Sequence, residues 1–340
     1  MAIPGLARGE ILLWRVAIPL TRHRSPASGK LGTMRVVVTG STGTIGRALV
    51  SALLARGEEV VALSRDAGRA RQALGDEVEP HAWPRPTQEP PPDAALAGAD
   101  AVVHLLGEPI AQRWTDESKE AIRESRVRAT RALVEGLVAL APDQRPRTLI
   151  SQSAVGFYGP RGDQKLAEDA PAGNDFLAEV VVAWEHEALA AVAAGVRVVV
   201  TRTGVVLSPS GGALAKMLPF FRLGIGGPVA GGRQYVPWVH LDDVVGAMLF
   251  CAGRPEATGP VNLTAPDPVT NSELSKVLGR VLKRPAFLPV PGLAVKSLYG
   301  EMAEIVITGQ RAVPAVLERL GYGFRHPDLE AALRDVLGRT

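Results

Sequence analysis

Val36-Val37-Val38-Thr39-Gly40-Ser41-Thr42-Gly43-Thr44-Ile45-Gly46-Arg47 joins a β-branched run to a glycine-rich turn, and the turn to a helix. Gly40 permits a tight turn, Gly43 a close approach of backbone to a pyrophosphate, and Gly46 close packing of helix on strand. Amides at the start of that helix, around Thr42, Thr44 and Ile45, would point at the phosphates with the helix dipole behind them. Three glycines alone are a weak signal. The context strengthens them: Ile45, Ala48, Leu49, Ala52 and Leu53 follow at helical spacing, and Gly57 stops the pattern.

Composition narrows the function classes. The 340 residues give ample length for a buried core, and no apolar run reaches transmembrane length. Cys251 is the lone cysteine, which excludes a disulfide framework and points to a reducing compartment such as the cytoplasm. The six histidines are scattered along the sequence without metal-ligand spacing, so no metal is expected.

Charge is uneven. Residues 1–33 carry Arg8, Arg15, Arg22, Arg24 and Lys30 against Glu10, a net of +4, whereas the whole chain is +3. The remainder therefore comes to −1, which argues against a nucleic-acid partner. The leader's apolar run from Ile11 to Leu20 is broken by Arg15 and suits neither a membrane span nor a secretory signal. An organellar transit peptide and a translation start set too far upstream of Met34 both account for it. Residues 1–33 are set aside from the fold.

Glu59 to Arg65 reads as the second strand. A cofactor lacking a 2′-phosphate would want an acid at its end. Ser64 and Arg65 stand there, followed by Asp66, and a guanidinium suits a phosphate, so NADP is favoured over NAD. Val78 and Trp83 suggest a weaker third strand, and the proline run from Pro84 to Pro92 a loop. Ala99 to Leu106 is a buried strand ending in Gly107-Glu108-Pro109, at the edge where such sheets bind ligands. His104 inside it reads as a core histidine. Helical periodicity runs from Thr115 to about Leu140, and Arg147 to Ser151 makes the next strand.

These residues resemble the extended short-chain dehydrogenases/reductases. The likeness is to their atypical epimerase-like branch, NADP-dependent oxidoreductases with a C-terminal domain of unknown function. It rests on Gly40 to Gly46; Leu105 to Ile110; Arg113-Trp114 to Arg126; Arg202-Thr203-Gly204-Val205-Val206-Leu207; and Arg233 to Asp243. The resemblance implies a doubly wound parallel sheet of about seven strands, with NADP in a cleft beside a smaller lobe. Residues 34–207, joined by a strand and a helix from 239–265, would form the nucleotide-binding domain, and 208–340 the smaller lobe and the C-terminal region. By the same resemblance Leu105, Leu106, Gly107, Arg126, Ser151, Arg202, Thr203 and Gly204 are cofactor neighbours. Glu108, Arg233, Tyr235 and Trp238 would meet a small polar carbonyl or sugar-like substrate.

One departure bears on mechanism. Typical members use a serine, a tyrosine and a lysine four residues later, the lysine lowering the phenol's pKa. Where that pair should lie, on the helix from Asn174 to Ala194, this chain has Phe176 to Val181 without either residue. The serine survives as Ser153, with Ser151 as the alternative, and Tyr158 is the nearby phenol. Two readings follow: these residues contact the reacting group, or they shape the pocket of a non-catalytic NADP(H) sensor. Phe176, Val180, Trp184, Ala188 and Val192 read as packing, with Gly195 as the stop.

Farther on, glycines at 224–227 suggest a loop able to close over substrate. His240 and Asp242-Asp243 open a helix that the aspartates are expected to cap, and Thr270-Asn271-Ser272-Glu273 reads as a capping box. The C-terminal region would serve the substrate lobe or a contact between two copies, a homodimer.

Overall fold

The computed structural model describes residues 33–338. The reading of 1–33 as a leader therefore falls almost wholly outside the described residues. Seven strands form one parallel sheet: β1 (Arg35–Thr39), β2 (Glu59–Ser64), β3 (Val78–Ala82), β4 (Ala101–His104), β5 (Thr148–Ala154), β6 (Arg197–Thr203) and β7 (Gly259–Leu263). Their order is β7-β6-β5-β4-β1-β2-β3, so the direction of winding reverses between β1 and β4. That switch point is where ligands enter open α/β sheets. The doubly wound fold expected from the sequence is the one observed.

β-Branched residues fill the central strands because both faces are covered. Val36 and Val38 face a core shared with helices Thr44–Ala55 and Leu241–Ala252. Val37, Val102 and Leu149 face the opposite core, with helices Asp116–Ala139 and Phe176–Leu189. A third cluster, around Leu218, Trp238, Leu278 and Leu333, fills the smaller lobe. The C-terminal region is not confined to that lobe, since Leu317 and Tyr322 return to the first core.

The long helix starts at a Thr115–Ser118 capping box, and Gly195 ends the later one with a φ of 82°. At the Leu241–Ala252 helix the expected cap is corrected. His240 Nδ1 accepts from the Asp242 amide, while Asp243 accepts from the amides of Arg325 and His326 and from the Tyr322 hydroxyl. Asp243 thus ties the C-terminal segment down. Thr270 caps the next helix by accepting from the Glu273 amide.

His104 is fully buried, Nδ1 2.8 Å from Thr39 Oγ1 and Nε2 3.0 Å from Thr130 Oγ1. Thr39 Oγ1 also accepts from the Leu105 amide, which pins β4 to β1 beside the glycine turn. Burial holds the imidazole pKa down to about 3. The unfolded chain binds this proton below about pH 6.5 and the folded chain does not, so stability is present above that pH and falls as the pH drops. The stability gap between wild type and His104→Gln should narrow by about 2 kcal/mol between pH 7 and pH 5. Urea midpoints at the two pH values test this, and an unchanged gap would refute it.

Candidate functional site

The glycine turn leaves room that a side chain would fill. Gly40 has a φ of +63°, and a Cβ there would lie 2.7 Å from the Leu105 carbonyl oxygen. A Cβ on Gly46 would lie 2.3 Å from the Gly40 oxygen. Gly43 differs: it is exposed, its backbone is extended, and the sole neighbour of a Cβ would be the Gly40 oxygen at 3.3 Å. It precedes a helix that no side chain caps. The first intrahelical bond runs from the Arg47 amide to Gly43 at 2.9 Å, which leaves the amides of Thr44, Ile45 and Gly46 for an outside acceptor. Thr42 is half-buried beside them, its carbonyl accepting from Arg47 Nε.

The loop at Ser208–Gly211 crosses this helix start, and a Cβ on Gly211 would lie 2.5 Å from Thr44 Oγ1. The glycines at 224–227, expected to close over substrate, pack tightly. There, a Cβ on Gly226 would strike the Phe221 ring at 2.5 Å, and one on Gly227 the Leu288 oxygen at 2.0 Å. Those glycines serve close packing.

At the end of β2, Ser64 Oγ accepts weakly from the Asp66 amide, and the Asp66 carboxylate caps the following helix. Arg65 is exposed and has no ion pair among the described residues. Past β4, Leu105 and Leu106 are half-buried, and Gly107 and Glu108 are exposed. Arg126 reaches back to this edge, its guanidinium donating to the carbonyls of Ile122 and Glu108 at 3.1 and 3.0 Å and lying 5.3 Å from the Trp184 ring. Burial pulls its pKa down to about 10, with Glu108 opposing.

The expected catalytic pair is buried. Ser153 is buried and donates to Glu185 at 2.5 Å. Glu185 accepts two bonds from Arg202, each 2.8 Å. Arg202 also donates to Tyr158 Oη at 3.1 Å and to the Glu168 carbonyl, and its guanidinium covers the Phe157 ring at 3.4 Å. Tyr158 is fully buried and donates to Asn262 Oδ1 at 2.7 Å. Burial raises its phenol pKa, with Arg202 opposing. These groups join β5, β6 and β7 in one buried hydrogen-bonded network, which engages Ser153, Tyr158 and Arg202 within the fold. Contact of Ser153 and Tyr158 with a reacting group, and of Arg202 with a cofactor, would have to break into these bonds.

Ser151 is buried on the same face of β5 as Ser153. Side chains alternate along a strand, so Gln152 and Ala154, both half-buried, take the other face. Thr203 donates to the Thr201 carbonyl, and a Cβ on Gly204 would fall 2.0 Å from the Pro237 oxygen, so both shape the chain. Trp238 is 1% exposed with its indole N–H on the Asp267 carbonyl. It is a core residue, which corrects its placement at the substrate. Tyr235 stacks 4.8 Å from the Arg311 guanidinium, and Arg233 is exposed without a partner among the described residues.

Histidines far apart in sequence do meet in space. His240, Asp242, His326 and Asp335 converge, and the two imidazoles stack with centroids 3.7 Å apart and planes at 22°. An ion binds in the plane of each imidazole it uses, and stacked rings do not share one in-plane point. His240 Nδ1 is moreover the helix cap. The cluster joins the C-terminal segment to the start of the Leu241–Ala252 helix.

No described helix is long and apolar enough to cross a membrane. Residues 36–263 match the NAD dependent epimerase/dehydratase family, and residues 290–336 a domain of unknown function, DUF1731. The chain is 43% identical over 305 residues to epimerase family protein Mb2239 of Mycobacterium bovis, covering 88% of this chain and 96% of that one. It is 40% identical over 318 residues to a chloroplastic SDR39U1 homolog of Arabidopsis thaliana, covering 92% and 89%. The crystal structure of human epimerase family protein SDR39U1 (isoform2) with NADPH superposes with a TM-score of 0.77 at 33% identity, covering 90% of this chain and all of that one. By the sheet, the glycine turn and these matches, the chain belongs to the NAD dependent epimerase/dehydratase family, with DUF1731 at its C-terminal end.

Proposed function

We propose that the chain binds NADP(H) across the β1–β4 switch point and acts as an oxidoreductase or epimerase, moving hydride to or from a small polar carbonyl or sugar-like substrate. The observation that carries this is the uncapped helix start behind Gly43, with the unpaired guanidinium of Arg65 at the end of the neighbouring strand. The amides of Thr44, Ile45 and Gly46 take the diphosphate, and Arg65 with Ser64 takes the 2′-phosphate. The NADPH in the human relative supports the choice of cofactor. Leu105, Leu106 and Gly107 border the cofactor, and Glu108 and Arg233 face substrate. Arg65→Asp should weaken NADPH by about 10- to 100-fold and leave NADH nearly unchanged, since charge-assisted bonds to the phosphate are lost. Equal losses for both, measured by fluorescence titration, would refute the contact.

A second reading, a non-catalytic NADP(H) sensor, is favoured by the engaged hydroxyls of Ser153 and Tyr158 and by a Phe176 to Val181 stretch that holds neither the tyrosine nor the lysine of the family pair. Deuterium transfer from 4-deuterated NADPH to a panel of carbonyl compounds separates the two. Label in any product supports the oxidoreductase; tight NADPH binding with no transfer supports the sensor.

A further inference from the structure

The smaller lobe leaves a group of large apolar side chains in the open. Phe220, Leu223 and Ile225 stand at and just past the end of the Gly212–Arg222 helix, and Phe287 and Leu288 follow the Asn271–Leu282 helix. The two segments run side by side. The Val290 amide donates to the Pro228 carbonyl and the Ala230 amide to the Val290 carbonyl, each at 2.9 Å. A Cβ on Gly224 would lie 3.3 Å from the Pro285 ring. Leu223 and Phe287 are each 74% exposed. Single exposed apolar residues are ordinary, whereas several on adjoining loops mark a contact surface.

Cations border the same surface. Arg222 ends the first helix, Lys283 and Arg284 follow the second, and Lys276 lies two turns before Lys283. All four are exposed, and none has an ion pair among the described residues. Arg280 beside them is paired with Glu330 at 2.9 Å. Lys283 ends its helix in the left-handed conformation, with a φ of 54°, where glycine is usual. An open recess of about 500 Å³ lies next to Phe287, and four of its seven lining residues are Lys276, Arg280, Lys283 and Arg284.

This pattern selects among occupants. A second copy would set the unpaired cations against their own equivalents across a twofold contact, which is unfavourable. An amphipathic helix of a partner protein needs an apolar groove to receive its anchors. Here the apolar side chains are the exposed ones and the recess beside them is bordered by cations, the reverse of that arrangement. A bilayer with anionic headgroups matches both features. Its phosphates meet the cations while the apolar tips enter the boundary between headgroups and acyl chains. Such docking needs no membrane-spanning helix.

We propose that this face of the smaller lobe docks on an anionic lipid surface, with Leu223 and Phe287 inserted and Lys283 and Arg284 on the headgroups. Neither the glycine turn nor Arg65 takes part.

Sedimentation of the full chain with sucrose-loaded vesicles is the test, using phosphatidylcholine alone and an equimolar mixture of phosphatidylcholine and phosphatidylserine. Partition onto the mixed vesicles should be at least about 10-fold stronger than onto phosphatidylcholine, and should fall as salt is raised. Lys283→Gln combined with Arg284→Gln should weaken it about 10- to 30-fold, at about five-fold per charge. Phe287→Ser should weaken it several-fold with NADPH affinity and thermal midpoint unchanged. The same loss of charge at exposed positions of the nucleotide-binding domain, Arg69→Gln combined with Arg128→Gln, should change partition by less than about two-fold. Equal partition onto the two vesicles, including none onto either, or equal losses in the two double variants, would overturn the proposal. Saturable binding of a synthetic acidic amphipathic helix, with no partition onto either vesicle, would assign the surface to a protein partner instead.

Discussion

Gly43→Leu is expected to lower NADPH affinity at least about 100-fold, roughly 2.7 kcal/mol, while the thermal midpoint stays within a few degrees of wild type. The two effects separate because of where Gly43 sits. Its backbone is extended, which any residue adopts, and a Cβ there meets only the Gly40 oxygen at 3.3 Å. The added side chain therefore projects outward, into the space a diphosphate needs to reach the amides of Thr44, Ile45 and Gly46. Substitution at Gly46 gives no such separation, since a Cβ 2.3 Å from the Gly40 oxygen forces strand and helix apart. Calorimetric titration alongside thermal unfolding checks the prediction. Retained affinity would mean that the diphosphate lies elsewhere.

Glu185→Ala is expected to lower the unfolding free energy by about 3–5 kcal/mol. The carboxylate is 7% exposed and takes three hydrogen bonds, two from Arg202 and one from Ser153. Its removal strands a guanidinium that is 5% exposed. Arg202 also supports Tyr158, and through it Asn262, so the damage spreads across β5, β6 and β7. Urea unfolding measures the loss, and a change under about 1 kcal/mol would mean that the network does not hold the sheet.

How much of this was legible in sequence depends on the kind of signal. Local patterns carried the sheet and its helices, because β-branched runs, glycine stops and caps act over a few residues. The glycine turn, the Arg65 position and the buried His104 were all legible on that basis. Hydrogen-bonded networks are assembled by contacts between residues 17 to 104 positions apart, and no spacing displays them. Ser153 and Tyr158 stood out by resemblance to the family's serine and tyrosine, and their bonds to Glu185, Arg202 and Asn262 were not visible in sequence. Trp238 looked like a ligand surface in an aromatic, basic stretch, yet its neighbours in the smaller lobe bury it. Asp243 looked like a cap, and the amides it serves lie 82 and 83 residues away. The approach of Gly211 to Thr44 and of Glu301 to Lys119 was likewise hidden.

The central claim is that backbone amides behind Gly43 grip a diphosphate while Arg65 chooses the adenosine bearing the extra phosphate. Calorimetric titration of the purified chain with NADPH and with NADH, under one buffer, tests it most directly. The account predicts one site for each dinucleotide, with NADPH bound at least about 10-fold more tightly. Equal affinities would contradict the role of Arg65, and no heat from either would contradict the site itself.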